Sequence, residues 1–162
     1  MKQHKIDFTY RNYLPDELNA EDKTLVKTAL KATKTAYAPY SGFCVGVAAR
    51  LTSGKIVTGN NQENAAYPSG LCAERVAMFY IQSQYPNDPI SVMAIAATLD
   101  RKQTSEPIFP CGACRQVMLE HENRHGKKLR LLFAGSEIIS EVKSAAILLP
   151  LNFTGKSLRK HN

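Results

Sequence analysis

The chain has 162 residues, a formal charge of +7 at pH 7 and 44% hydrophobic residues, the balance of a globular protein long enough to bury a core without disulfide staples. One domain is expected over 1–162, with its core at about 15–153, and no apolar run is long enough to span a membrane as a helix. The basic residues are dispersed, and the densest cluster, Lys156-Ser157-Leu158-Arg159-Lys160-His161, lacks interleaved aromatics, so it reads as a solvated tail rather than a nucleic-acid track.

In chain order, Met1-Lys2-Gln3-His4-Lys5 is too polar for a secretory signal, which predicts a cytoplasmic protein with reduced cysteines. Residues 1 to about 15 form an extended lead-in that ends at Pro15. From Asp16 to Tyr37, Leu18, Leu25, Val26, Ala29, Leu30 and Ala36 recur at helical spacing, with Asp16 and Glu17 favoured at the start by the helix dipole and Pro39 as the stop. Phe43–Leu51 and Lys55–Gly59 read as two strands joined by the turn Thr52-Ser53-Gly54. A polar loop, Asn60–Gly70, precedes a helix that begins near Cys72 and carries Val76, Ala77, Phe79, Tyr80 and Ile81.

Ser91–Thr98 is short and apolar, as a buried strand is, and Asp100–Phe109 reads as a loop. Pro110 opens a helix that runs to about Asn123 and stops at Gly126. Leu129–Ala134 is a further buried strand, Ile138–Val142 a short edge strand, and Ser144–Leu149 a helical turn before Pro150. Strands alternating with helices, the first two strands pairing antiparallel, predict an α/β layered fold around a mixed sheet.

The chemistry gathers in two segments, Cys72-Ala73-Glu74-Arg75 and Pro110-Cys111-Gly112-Ala113-Cys114-Arg115-Gln116. Cys111-x-x-Cys114 has the spacing of two ligands on one ion, and the fold must deliver Cys72. Both groups fall at predicted helix N-termini, where the dipole and free N–H groups favour the thiolate. Three protein ligands leave a zinc ion one open position for water, the arrangement of a catalytic site. Glu74 stands two residues from Cys72 as a proton carrier for that water. Three thiolates give the centre a net negative charge, and Arg75 is placed to offset it by hydrogen bonding to sulfur.

Alternatives stand beside this reading. A lone C-x-x-C is also a redox pair or half of a structural zinc site, but neither needs Cys72 and Glu74 together. Cys44 offers a fourth thiol, although in the run Phe43-Cys44-Val45-Gly46-Val47 it reads as a small buried hydrophobe. His121-Glu122-Asn123-Arg124-His125 matches the H-E-x-x-H zinc-protease pattern. It falls in the last turn of a helix among polar neighbours, which reads as surface.

Taken together, these residues resemble the zinc-dependent cytidine deaminases, specifically the small type with three cysteine ligands, whose zinc motif pairs a non-ligand Glu with P-C-x-x-C. Tyr37-Ala38-Pro39-Tyr40-Ser41-Gly42-Phe43, Gly59-Asn60-Asn61-Gln62-Glu63-Asn64-Ala65 and Leu148-Leu149-Pro150-Leu151-Asn152-Phe153 are similar to further family motifs in the same order. The resemblance implies a three-layer α/β/α domain around a mixed, mostly five-stranded sheet. It implies one zinc per subunit on Cys72, Cys111 and Cys114, and attack on C4 of cytidine or 2′-deoxycytidine by a hydroxide generated there, with ammonia leaving. Glu74 would take the water's proton, protonate N3 and then supply the leaving amine. Asn61 and Glu63 would bind the ribose 3′ hydroxyl, Phe43 would stack on the base, the backbone near Ala73 would orient it, and Phe153 would reach a neighbouring subunit's site in a homotetramer. A role in pyrimidine salvage follows.

Three rivals remain at this point. A blasticidin S type deaminase shares Cys-Ala-Glu and P-C-x-x-C-R-Q, but Asn61 and Glu63 favour a free nucleoside. A polynucleotide-editing deaminase needs a basic or aromatic strand track, which the chain lacks. A non-catalytic zinc module leaves Glu74 without a role.

Overall fold

The computed structural model describes residues 1–158, so the tail residues Arg159, Lys160 and His161 lie outside the described residues. The elements are β1 (Arg11–Tyr13), α1 (Ala20–Ala32), β2 (Phe43–Leu51), β3 (Ile56–Asn60), α2 (Ala73–Gln84), β4 (Ile90–Leu99), β5 (Lys102–Gln103), α3 (Gly112–His125), β6 (Arg130–Ala134) and β7 (Ile139–Val142). All strands join one sheet in the order β1-β7-β6-β4-β2-β3, with β5 paired to β4. Among the described strands only β4 and β6 pair in parallel, across the α3 crossover; the other ladders are antiparallel. The mixed α/β architecture is therefore present, but the sheet has seven strands rather than five.

The two added strands lie where loops were expected. The polar lead-in supplies β1, with Arg11 opposite Glu141 and Tyr13 opposite Ile139. β7 is consequently an interior strand rather than an edge. The Tyr13 hydroxyl donates to Glu141 at 2.8 Å, a contact between residues 128 apart that no local pattern reveals. β5 closes a tight hairpin on β4 through Asp100 and Arg101, both at positive φ.

The period-2 alternation of the strands splits the core into two sides. Val47, Ala49 and Leu51 of β2, Met93 and Ile95 of β4, and Leu131 and Phe133 of β6 face α2 and α3. Ala48, Ala94, Ala96, Leu132 and Ala134 point the opposite way, onto Leu25 and Ala29 of α1. Helices cover both faces, which makes three layers. On the α1 side Ala48, Ala94, Ala96 and Ala134 are small, and a Cβ on Gly46 would collide with the Ala29 carbonyl, so α1 packs directly on the backbone of β2.

α1 begins later than the acidic pair suggested. Asn19 caps it, its Oδ1 accepting from Asp22 N at 2.8 Å, while Pro15–Glu17 forms a separate 3-10 turn. Asp22 is buried and takes both Nη groups of Arg130, at 3.0 and 2.7 Å, and Arg130 Nε donates to Glu141 at 2.5 Å. This charged bridge fastens α1 to β6 and β7. α3 ends at Gly126 in the left-handed conformation, as expected, but starts at Gly112 with Pro110 outside it. No helix is long and apolar enough to cross a membrane, among the described residues.

Candidate active site

β3 and β4 both run antiparallel to β2 and so share a direction. The chain therefore leaves both strands at the same end of the sheet, and α2 and α3 both start there. Cys72 is the N-cap of α2, Cys111 is the N-cap of α3, and Cys114 lies in the first turn of α3. Neither N-cap thiol is spent on a capping hydrogen bond. The Sγ atoms of Cys72 and Cys111 are 3.9 Å apart, and those of Cys111 and Cys114 3.5 Å.

Tetrahedral zinc with sulfur at about 2.3 Å needs sulfur edges of about 3.8 Å, so this donor set fits the ion. It is the one group of three metal-capable side chains among the described residues. The seat of α2 is tight. A Cβ on Gly59 of β3 would lie 2.8 Å from both Cβ and N of Ala77, so glycine lets the helix approach and sets the position of Cys72.

The electrostatics favour a thiolate. Cys72 is lowered to about 5, first by its hydrogen bond with Cys114 and then by Arg75 and Cys111, against the cost of burial. The Cys114 thiol is pushed up by that hydrogen bond and by burial. Arg75 Nη2 lies 3.7 Å from Cys72 Sγ, and its Nε is buried without a partner among the described residues. Glu74 is only 5% exposed, and burial, followed by the negative charge of Cys72, holds its carboxyl above the usual range. Ala73 beside it is fully buried.

Next to the sulfurs opens a cavity of about 500 Å³ that Cys72 and Arg75 line together with Asn61, Glu63, Tyr40 and Tyr67. Glu63 accepts from the Ser41 hydroxyl, from Tyr40 N at 2.9 Å and from Ser41 N at 3.3 Å, and these bonds, the hydroxyl's first, lower its pKa. Asn61 Oδ1 accepts from Val45 N at 2.7 Å and its Nδ2 donates to the Phe43 carbonyl at 2.9 Å, which fastens the loop to β2. Tyr40 and Tyr67 meet edge to face at 5.8 Å at the cavity wall. Sequence reasoning assigned them no role, although Tyr40 stands in the Tyr37–Phe43 motif.

Other expected residues stand apart. Phe43 is half-buried at the start of β2 and does not line the cavity. Phe153 is 60% exposed, with its carbonyl accepting from Gln116 Nε2 at 3.1 Å. Cys44 is half-buried, lies outside the sulfur cluster and lines a separate cavity with Lys34 and Arg101.

The H-E-x-x-H segment is a surface feature only in part, with Asn123 and Arg124 exposed and His125 half-buried. His121 and Glu122 are buried, because the end of α3 packs under β4 and the start of β6. His121 Nε2 accepts from Ile90 N at 3.0 Å, and Glu122 accepts from Leu129 N, the Ser144 hydroxyl, Ala145 N and Ala146 N. These groups are spent on backbone amides, so the motif holds structure together.

Residues 19–125 match the family described as the cytidine and deoxycytidylate deaminase zinc-binding region. The chain is 47% identical over 96 residues to a cytidine deaminase of Halalkalibacterium halodurans, covering 59% of this chain and 68% of that one. It is 38% identical to a cytidine deaminase of Mycobacterium tuberculosis over 57% of this chain and 65% of that one. The crystal structure of cytidine deaminase from Burkholderia pseudomallei superposes with a TM-score of 0.68 at 36% identity, covering 80% of this chain and 97% of that chain.

Proposed function

The chain belongs to the family of zinc-dependent cytidine deaminases, and from that membership we propose that it hydrolyses cytidine, 2′-deoxycytidine or both to the uracil nucleoside and ammonia, in pyrimidine salvage. The observation that carries the proposal is the sulfur triangle of Cys72, Cys111 and Cys114 with the buried Glu74 beside it. In this reading the three thiolates hold one zinc ion per subunit. Bound zinc supplies a Lewis acid that brings a water's pKa down toward neutrality.

Glu74 manages the protons. It takes one from the attacking water and gives it to N3 as the new C4–O bond forms, then takes the remaining proton from the C4 hydroxyl and delivers it to the amine as the C4–N4 bond breaks and the C4 carbonyl forms. A buried carboxyl beside the sulfurs is placed to accept a proton and hand it on within the site rather than to solvent. Arg75 offsets the charge on sulfur, which keeps three thiolates tolerable at one centre.

The cavity would take the nucleoside. Glu63, already held by Ser41 and Tyr40, and Asn61, held on β2, present their remaining acceptor and donor capacity to the ribose 3′ hydroxyl. The backbone at Ala73 orients the base, and Phe43, which stands outside the cavity wall with its carbonyl held by Asn61, would have to reach past that wall to stack on it. The exposed Phe153 reaches a neighbouring subunit's site in a homotetramer. The enzyme works in the cytoplasm on small nucleosides, without a nucleic-acid or membrane partner.

The test is to follow ammonia release from cytidine, deoxycytidine, free cytosine and adenosine, with and without a chelator. Chelator-sensitive turnover of the two pyrimidine nucleosides alone is expected. Silence on all four with zinc bound would overturn the proposal in favour of another deaminase substrate or a non-catalytic zinc module.

A further inference from the structure

Arg115 and Glu122 of α3 grip opposite ends of one 3-10 turn, Ala145–Leu148. At its start the Glu122 carboxylate accepts from Ala145 N at 2.8 Å, from Ala146 N at 3.2 Å and from the Ser144 hydroxyl at 2.8 Å. Two of these donors are amides that the beginning of a helix leaves unpaired. At the other end Arg115 Nη1 donates to the Leu148 carbonyl at 3.0 Å. The same guanidinium donates through Nε to the Pro110 carbonyl at 2.8 Å, and Pro110 is the residue before Cys111. One residue further on, Gln116 fastens the carbonyl of Phe153.

We propose that Arg115 is a positioning residue for the metal centre. Its planar fork ties the carbonyl preceding Cys111 to a turn that Glu122 holds rigid, and so keeps the Cys111 sulfur in ligand position. The proposal rests on the reading that the three cysteines hold zinc. Cys111 most needs such a tether, because it is the exposed member of the cluster and sits at the end of a loop. Proline has no N–H to offer, so the loop is secured at this residue through its carbonyl. A guanidinium presents its donors in a fixed fork that serves two carbonyls at once; a lysine ammonium is a single point of charge on a flexible stem.

The experiment loads the full-length protein with zinc and measures the rate of transfer to a chromogenic chelator, alongside the sulfur-to-metal absorption of the cobalt(II)-loaded form. Arg115→Ala is expected to release zinc about 10–100-fold faster, the usual scale for losing a partner outside the ligands, and to alter the cobalt absorption. Arg115→Lys should fall between it and wild type, and it carries the test if Arg115→Ala does not fold. Gln116→Ala, which frees only the Phe153 carbonyl, should release zinc at the wild-type rate. Unchanged release from the Arg115 variants, with the wild type loaded, overturns the assignment alone. Equal acceleration by Gln116→Ala also overturns it, because the effect would then belong to the C-terminal segment at large. A wild-type chain that takes up no zinc overturns both the assignment and the reading beneath it.

Discussion

Cys72 and Cys111 stand 39 residues apart in the chain, yet their sulfurs lie 3.9 Å from one another. The cause is topological. β3 and β4 flank β2 with the same direction, so the helices that follow them start at one end of the sheet with their N-termini toward each other. Each thiol then meets free amides and the positive end of a helix dipole. A centre built this way needs no ligand from the middle of any element.

Glu74→Gln preserves shape and removes the titrating group. The variant should fold and retain zinc, while kcat on cytidine falls by at least ~10²–10⁴, the scale of lost acid–base catalysis. Zinc content and steady-state kinetics check this together. Near-normal turnover would sink the role given to Glu74.

Arg75→Ala removes the cation 3.7 Å from Cys72. Metal retention or rate should fall by roughly 10–100-fold, read by competition with a chelator and by kcat. A variant indistinguishable from wild type in both would show that the sulfurs do not need it.

Gly59→Ala places a methyl group 2.8 Å from Ala77. Because all three atoms it meets, Cβ and N of Ala77 and the Ala73 carbonyl, belong to α2, the helix must move off β3, with a cost of about 1–3 kcal/mol for overpacking. The same movement shifts Cys72, so the variant should lose zinc to a chelator faster than its lowered urea midpoint alone would explain. A stability unchanged from wild type would contradict the tight seat.

Asp22→Ala leaves Arg130 with Glu141 alone at the centre of the bridge between α1, β6 and β7. Removing one member of a buried pair costs about 3–5 kcal/mol. Arg130 keeps one partner and is 28% exposed, so a loss of about 2–3 kcal/mol is expected here after allowing for solvent screening. Urea denaturation of the zinc-loaded protein measures it.

His121 makes stability depend on acid. Its Nε2 accepts from Ile90 N while Nδ1 is buried without a partner among the described residues, and burial, then the charges of His125 and Arg124, lower its pKa to about 4. An unfolded histidine takes up its proton near 6.5, so between those values the unfolded chain binds more protons than the folded one. The contribution is complete above about 6.5 and is lost as pH falls toward 4, at up to about 1.4 kcal/mol for each pH unit. His121→Gln keeps an acceptor without the titration and should flatten that part of the urea-midpoint profile. An unchanged slope would place the sensitivity elsewhere.

The sequence by itself determined the local and periodic features. The strand Phe43–Leu51, the helices beginning beside Cys72 and Cys111, the stop at Gly126 and the Cys-x-x-Cys pair with a distant Cys72 and Glu74 were all readable. Each depends on side-chain periodicity, on capping, or on ligand chemistry carried by neighbouring residues. Tertiary structure alone decided what the polar segments do. Arg11–Tyr13 has no apolar alternation and becomes a strand only because β7 offers it a ladder and Glu141 receives Tyr13. His121 and Glu122 have the composition of a solvated helix end, yet they are buried because Ile90, Leu129 and Ala145 bring unpaired amides to them. Tyr40, Tyr67 and Arg115 take their places by contacts across the fold. A polar side chain's partner is a matter of geometry between distant segments, and composition along the chain does not encode it.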